Sequence, residues 1–169
     1  MRGWGSLAGS AGEAGGRLNR AMLIYLDTCC FNRPFDDQSQ TRIRFETEAK
    51  LELQEQVRQK KVGLVWSYVL DFENKHNPFP ERAASILLWR NLAEVRVGET
   101  ELVLDKGRSL MLLGIKPFDA LYVACAIVAG SDFFVTTDDA LLRKLRGHPD
   151  IAALPPGDAL TKVEHWNED

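Results

Sequence analysis

Three short apolar runs, Met22-Leu23-Ile24-Tyr25-Leu26, Val62-Gly63-Leu64-Val65-Trp66 and Phe133-Phe134-Val135-Thr136, are separated by long stretches of helical periodicity. Runs of four to six apolar residues bounded by charged or turn-forming residues fit strands buried on both faces. The stretches between them are long enough for helical crossovers, which parallel neighbours require. The fold class this dictates is α/β, with three layers around a mostly parallel central sheet.

The remaining elements follow from the same pattern. After a strand over 22–27 comes a polar loop, Asn32 to Gln40, and then a helix over 41–60. Phe45, Ala49, Leu53 and Val57 share one face of that helix, and Glu46, Lys50, Glu52 and Glu55 form its charged remainder. Ser67 is placed to cap a short helix carrying Glu73. Asn77-Pro78-Phe79-Pro80 breaks the chain before a helix over 80–93, and Val95-Arg96-Val97 reads as a short strand. Helices are expected over 99–113, 119–129 and 138–146, ended by Gly114, Gly130 and Gly147. The helix from Asp119 is apolar on nearly all sides, so it belongs in the core. An edge strand is expected near 160–163.

Composition narrows the class of protein. The 169 residues are 45% hydrophobic and 27% charged, with a net charge of −3. This is ordinary for a globular chain and argues against a strongly basic, sequence-independent nucleic-acid binder. Cys29, Cys30 and Cys125 are an odd number in a chain of this size, which fits a reducing cytoplasm better than a disulfide framework. The pair after Asp27 lacks the spacing of a structural zinc site and reads as small side chains packed behind a strand. The longest apolar stretch, 120–129, is about half a membrane span. Residues 1–21 are rich in Gly and Ala and lack the apolar segment of a signal peptide. They read as a disordered leader or a start assigned too early, with a transit peptide as the alternative, and residues 22–169 as a single domain.

Acids punctuate the pattern. Asp27 ends the first run, Glu73 lies on the helix after the second, Asp119 opens the apolar helix, and Asp138 follows the last run. Each alone has an ordinary explanation as a turn, a helix cap or a solvated residue. Together they fall where a parallel sheet gathers its strand C-termini, the edge at which such folds bind ligands. Four carboxylates brought together repel unless a cation neutralises them, and oxygen-rich sites suit Mg²⁺ or Mn²⁺. Asp71 lies two residues before Glu73, and a helix turns it about 200° away, so only one of the two can face the site. Asp139 reads as support for a helix start and Asp132 as a turn residue. Thr28 and Thr136 are near enough to hydrogen-bond a carboxylate.

Order and motifs together resemble the PIN domain, a family of Mg²⁺- or Mn²⁺-dependent nucleases, over about residues 22–145. Leu26-Asp27-Thr28 resembles the family's strand-one acid followed by a small polar residue, and Ser67 with Glu73 its second acid. Phe118-Asp119-Ala120-Leu121-Tyr122 resembles the third-acid motif, and Phe133-Phe134-Val135-Thr136-Thr137-Asp138 the closing strand that ends in Thr-x-Asp. Cys29-Cys30 and the long loop 32–40 depart from the usual pattern and bear on subfamily rather than chemistry.

The resemblance implies a PIN-like fold with Asp27, Glu73, Asp119 and Asp138 as catalytic and metal-holding residues. It implies Mg²⁺ or Mn²⁺ as cofactor, and a hydrolase that cleaves RNA phosphodiesters with water activated by the metal. Among small bacterial chains a lone PIN domain looks most like a VapC-like toxin of a type II toxin–antitoxin pair, which implies a protein antitoxin and a homodimer. Loop 32–40 and the helix near 79–93, with Phe35, Phe79 and Trp89, are the expected contacts. Arg33, Arg42, Lys75, His76, Lys116, Arg143, Lys144 and Arg146 could meet the RNA backbone. The competing readings are a non-catalytic PIN-like module that binds RNA or protein, and a haloacid-dehalogenase-like phosphatase. The phosphatase normally wants a second aspartate at position 29, which is Cys29.

Overall fold

The computed structural model describes residues 21–168; residues 1–20, on which the reading of a leader falls, lie outside the described residues, as do Asp169 and the side chain of Arg33. The strands are β1 (Met22–Leu26), β2 (Val62–Ser67), β3 (Val95–Val97), β4 (Phe133–Val135) and β5 (Ala152–Leu154). They form one sheet in the order β3-β2-β1-β4-β5, every neighbouring pair parallel. The helices are α1 (Thr28–Asn32), α2 (Thr41–Arg58), α3 (Tyr68–Lys75), α4 (Pro80–Arg90), α5 (Glu101–Met111), α6 (Pro117–Val128), α7 (Asp139–Lys144) and α8 (Pro156–Glu168), with a 3-10 turn at Arg33–Phe35.

The sheet is the middle of three layers. Helices α2 and α8 pair with each other and pack on β2 and β4, and α5 and α6 form the second packed pair, α6 also meeting β2 and β4. Strands β1 and β2 are buried at every position, as their unbroken apolar runs require. Tyr25 is the polar exception in β1; its ring stacks on Phe134 and meets Tyr122 edge-on, and its hydroxyl finds Ser67 Oγ at 2.6 Å. Helix α6 buries Ala120, Tyr122, Val123, Ala124, Cys125 and Ala126, and it ends where Gly130 takes a left-handed φ of 74°. No helix among the described residues is long and apolar enough to cross a membrane.

The chain runs outward from β1 to β2 and β3 on one side, then returns to place β4 and β5 on the other. The order therefore reverses between β1 and β4. At such a point the flanking crossovers leave in opposite directions and open a crevice beyond the strand carboxyl ends. Asp27 and the segment Thr136–Asp138 emerge there.

Two expectations are corrected. The edge strand lies at Ala152–Leu154, not near 160–163, which belongs to α8. Pro156 starts that helix, and Ala159 and Val163 bury one turn apart, so the apolar spacing there is helical. The buried face of α2 consists of Thr47, Lys50, Leu53, Gln54, Gln56 and Val57. Phe45 is 58% exposed, and Lys50, expected in solvent, is buried.

Leu64 is fully buried at the centre of β2. Leu64→Ala is expected to destabilise the fold by about 3 kcal/mol, combining lost transfer energy with the cavity left behind. Urea denaturation with an unchanged m-value checks this; a loss under about 1 kcal/mol would contradict the packing described.

Candidate functional site

The site is built on the carboxyl ends of β1 and β4. Asp27 N–H donates to Val135 O at 2.9 Å, carrying the β1–β4 pairing one residue past the strand. The Asp27 carboxylate, only 5% exposed, is then fixed by its neighbours. Thr136 Oγ1 donates to Oδ2 at 2.8 Å, and Thr28 N–H donates to Oδ1 at 2.7 Å. Thr136 Oγ1 also accepts Asp138 N–H at 3.1 Å, so one hydroxyl ties the two strand ends together.

Glu73 is brought in by α3. Ser67 ends β2 and caps α3, its Oγ accepting Leu70 N–H at 3.2 Å while meeting Tyr25 on its other side. Glu73 is half-buried and Asp71 points elsewhere: Trp66 Nε1 donates to Asp71 Oδ1 at 2.9 Å, and Arg90 Nε lies 3.7 Å away. Asp119 lies in the first turn of α6, behind Pro117, and is half-buried. Asp138 caps α7, its Oδ1 accepting Ala140 N–H at 2.9 Å and Leu141 N–H at 3.1 Å.

Asp119 links these acids electrostatically. Its carboxyl is raised first by desolvation, then by the charge of Asp138 and, more weakly, of Glu73, against the lowering pull of Lys116 and Lys144. Asp27 is raised well above the ordinary carboxyl range, first by burial, then by Cys29, with Asp119 contributing and Thr136 opposing. Asp119 thus stands in the field of Asp138 and Glu73 and itself acts on Asp27, so its ionised form is disfavoured by acidic neighbours as well as by burial. Among the described residues, however, no three His, Cys, Asp or Glu side chains converge closely enough to hold a metal ion. Like charges keep apart and take local donors instead, as Asp27 does with Thr136 and Asp138 with the start of α7. Carboxylate oxygen is the donor type that a hard divalent cation takes, so the chemistry of these side chains, though not their present spacing, suits one.

Two residues join the site without having been singled out for it. Tyr122 lies one turn after Asp119 on α6, and its hydroxyl meets Thr28 Oγ1 at 2.7 Å. Burial raises that hydroxyl, and Glu73 and Asp27 raise it further. The spacing of three residues on a helix is the sequence signal that would have found it. Cys29, read as a packed apolar side chain, has Sγ 3.5 Å from both Asp27 Oδ2 and Thr136 Oγ1 and accepts Thr137 N–H at 3.4 Å. Its thiol is drawn down to about 5, first by the hydrogen bond with Cys30 and, against burial, by those with Thr136 and Thr137. Adjacency to Asp27 was the only signal for it. Cys30 does pack as expected, fully buried with Sγ donating to Val135 O.

The other flanking residues have definite places. Arg42 grips Asp139 with two bonds of 2.9 Å and Glu46 at 2.6 Å, which commits it to an ion-pair cluster rather than leaving it open for a phosphate. Asp132 accepts Leu23 N–H at the amino end of the sheet, the turn position expected of it. His76 is anchored by Nδ1 against Phe72 O and by its ring against Phe72. Phe35 and Phe79 are exposed with Arg82 over both rings, whereas Trp89 is buried. A cleft of about 300 Å³ lined by Thr28, Glu73, His76, Phe79 and Arg82 opens beside the acids.

Raised carboxyls make a signed prediction. The folded chain holds the Asp119 proton more tightly than the unfolded chain does. This group therefore favours the fold in acid, and that contribution is lost as pH rises from about 4, the unfolded value, through the folded pKa. Asp119→Asn is expected to raise Tm at about pH 7.5 and to leave it nearly unchanged at about pH 3.5. Thermal melts at the two pH values check this; an equal shift at both would deny the electrostatic strain.

No family model and no curated protein matches the sequence. The structure is similar to a chain in the crystal structure of VapBC2 from Rickettsia felis bound to a DNA fragment from their promoter. The likeness has a TM-score of 0.52 and 14% sequence identity, and covers 79% of this chain and 98% of that one. At that identity the likeness is one of fold: a parallel five-stranded sheet between helical layers, PIN-like in its architecture.

Proposed function

We propose that the protein is a metal-dependent endoribonuclease whose reacting centre is the group Asp27, Glu73, Asp119 and Asp138. The observation that carries this reading is the shared field of the four acids at the point where strand order reverses, with Asp119 feeling Asp138 and Glu73 and acting on Asp27. Carboxyls raised by burial and then by acidic neighbours, as Asp27 and Asp119 are, are expected where function demands them.

The four carboxylates would hold one or two Mg²⁺ or Mn²⁺ ions, which when bound lower the pKa of water and offset charge on a leaving oxygen. The chain's own contributions are positional. Thr136 and the Thr28 amide fix both oxygens of Asp27, so that carboxylate is presented without freedom to rotate. Ser67 sets the start of α3 and hence the place of Glu73. Tyr122 meets the hydroxyl of Thr28, the residue whose amide holds Asp27. Lys116 and Lys144, the cations that act on Asp119, would draw a phosphate to the mouth of the site.

The likeness in fold to a chain of VapBC2 supports a second component of this reading, that the protein is the toxin half of a toxin–antitoxin pair with a protein antitoxin. RNA as the substrate and a homodimeric state complete the proposal.

Titration calorimetry with Mn²⁺ and cleavage of a structured RNA, on wild type and an Asp27→Asn/Asp119→Asn variant, test it. Expected are metal uptake by the wild type and a fall in cleavage of roughly 100-fold or more in the folded variant. Uptake without cleavage would favour a non-catalytic binding module. Hydrolysis of p-nitrophenyl phosphate in place of RNA would favour the phosphatase. A wild type that binds no metal would sink the proposal.

A further inference from the structure

Two of the acids follow a phenylalanine: Phe72 precedes Glu73 on α3, and Phe118 precedes Asp119 on α6. These helices pack against each other and set the two rings near-parallel, 5.8 Å between centres and 16° between planes. His76, one turn after Phe72, extends the row. Its ring centre lies 4.6 Å from that of Phe72, and its Nδ1 stands 2.7 Å from Phe72 O. The row is not part of the core: Phe72 is 50% exposed and Phe118 47% exposed, while Leu70 and Tyr122 on the same helices are buried.

A single exposed apolar side chain is ordinary. Two aromatic rings aligned by different helices, each beside an acid of the site and each half in water, are not explained by packing. A flat π surface of this kind is what an unpaired base stacks on. The phosphates on either side of a stacked base need cations, and the exposed Lys75 and Lys116 flank the pair in sequence, Lys116 close enough to act on Asp119. His76 also lines the cleft of about 300 Å³ onto which Glu73 and Thr28 open, so the row of rings continues the site. An apolar face of a protein is the poorer occupant. The pair is bounded by Glu73, Asp119, Lys75 and Lys116, and such a contact would have to desolvate them.

Resting on the nuclease reading for its substrate, we propose that Phe72 and Phe118 form the platform on which one unpaired base of the RNA stacks beside the bond to be cleaved, and that the platform favours a purine there. A purine lays two fused rings over the pair and gains more from stacking than the single ring of a pyrimidine. Glu73 and Asp119 are thereby placed next to the nucleotide whose base is held.

Fluorescence anisotropy with short labelled oligouridines, with and without one central adenosine, tests this on the full chain, and cleavage of the same strands in Mn²⁺ is followed separately. Wild type is expected to bind the adenosine-bearing strand roughly fivefold more tightly, a part of the worth of one base–aromatic stack. Phe72→Leu and Phe118→Leu are each expected to remove that preference, and Phe118→Trp to keep it. 2-Aminopurine in place of the adenosine is expected to be quenched in the wild-type complex, which keeps the test decisive if a variant fails to fold. Equal affinity for the two strands, a preference that survives both leucine variants, 2-aminopurine left bright, or no binding of either strand would overturn the proposal. A change of oligomeric state in Phe118→Leu with the preference intact would overturn it too, and assign the rings to a subunit contact. Adenosine preference without cleavage would leave the platform standing and sink the nuclease reading; cleavage without the preference would do the reverse.

Discussion

The pairing of β1 with β4 is the constraint on which the rest of this structure depends. It sets neighbouring strands whose onward connections run in opposite directions, and so opens the sheet edge at one place. The pairing continues past the strands through Asp27 N–H to Val135 O, and Thr136 then closes it by donating to the Asp27 carboxylate. The hydrogen bonds that finish the ladder are therefore the ones that orient the first acid. The structural role and the proposed chemical one coincide because a strand end is where backbone groups run out of ladder partners and side chains must supply them.

A fold that gathers acids works against itself. Asp27 and Asp119 are both raised by burial and by neighbouring charge, and among the described residues neither takes part in an ion pair. The contrast with Asp139 is instructive: two hydrogen bonds donated by Arg42 lower that carboxyl, on the same helix start and one residue from Asp138. The chain thus neutralises the acid that braces α7 against α2 and leaves unneutralised those that face the crevice. Helix α2 repeats the pattern with opposite sign, solvating Arg42 in an ion-pair cluster while burying Lys50 without one. Unequal treatment of like residues is a stronger pointer to binding than charge content alone.

Much of this was legible from residue order. Periodicity distinguished strand runs from helices, and the alternation of the two implied a parallel sheet and therefore a common edge for strand ends. Ser67 was readable as a cap because a hydroxyl at a strand-to-helix junction satisfies an otherwise open amide. The tail misled because Leu160 and Val163 are too few to separate a period of two from one of nearly four; Pro156 was the better guide. Helix α2 misled because its core face is largely polar, with Thr47, Lys50, Gln54 and Gln56 buried beside Leu53 and Val57. Hydrophobic patterning cannot report a face whose burial is polar.

The sequence by itself determined the layered α/β class and the placement of Asp27, Glu73, Asp119 and Asp138 near one sheet edge, because strand and helix periods are local properties of the chain. Only the tertiary structure decided that Asp71 turns to Trp66 and Arg90 while Glu73 shares the field of Asp119. It alone drew Tyr122 and Cys29 against the acids, and turned Lys50 and Gln54 inward on a helix face expected to be apolar. Those outcomes depend on which surfaces meet across elements far apart in the chain, and on the desolvation that follows, neither of which is encoded in spacing.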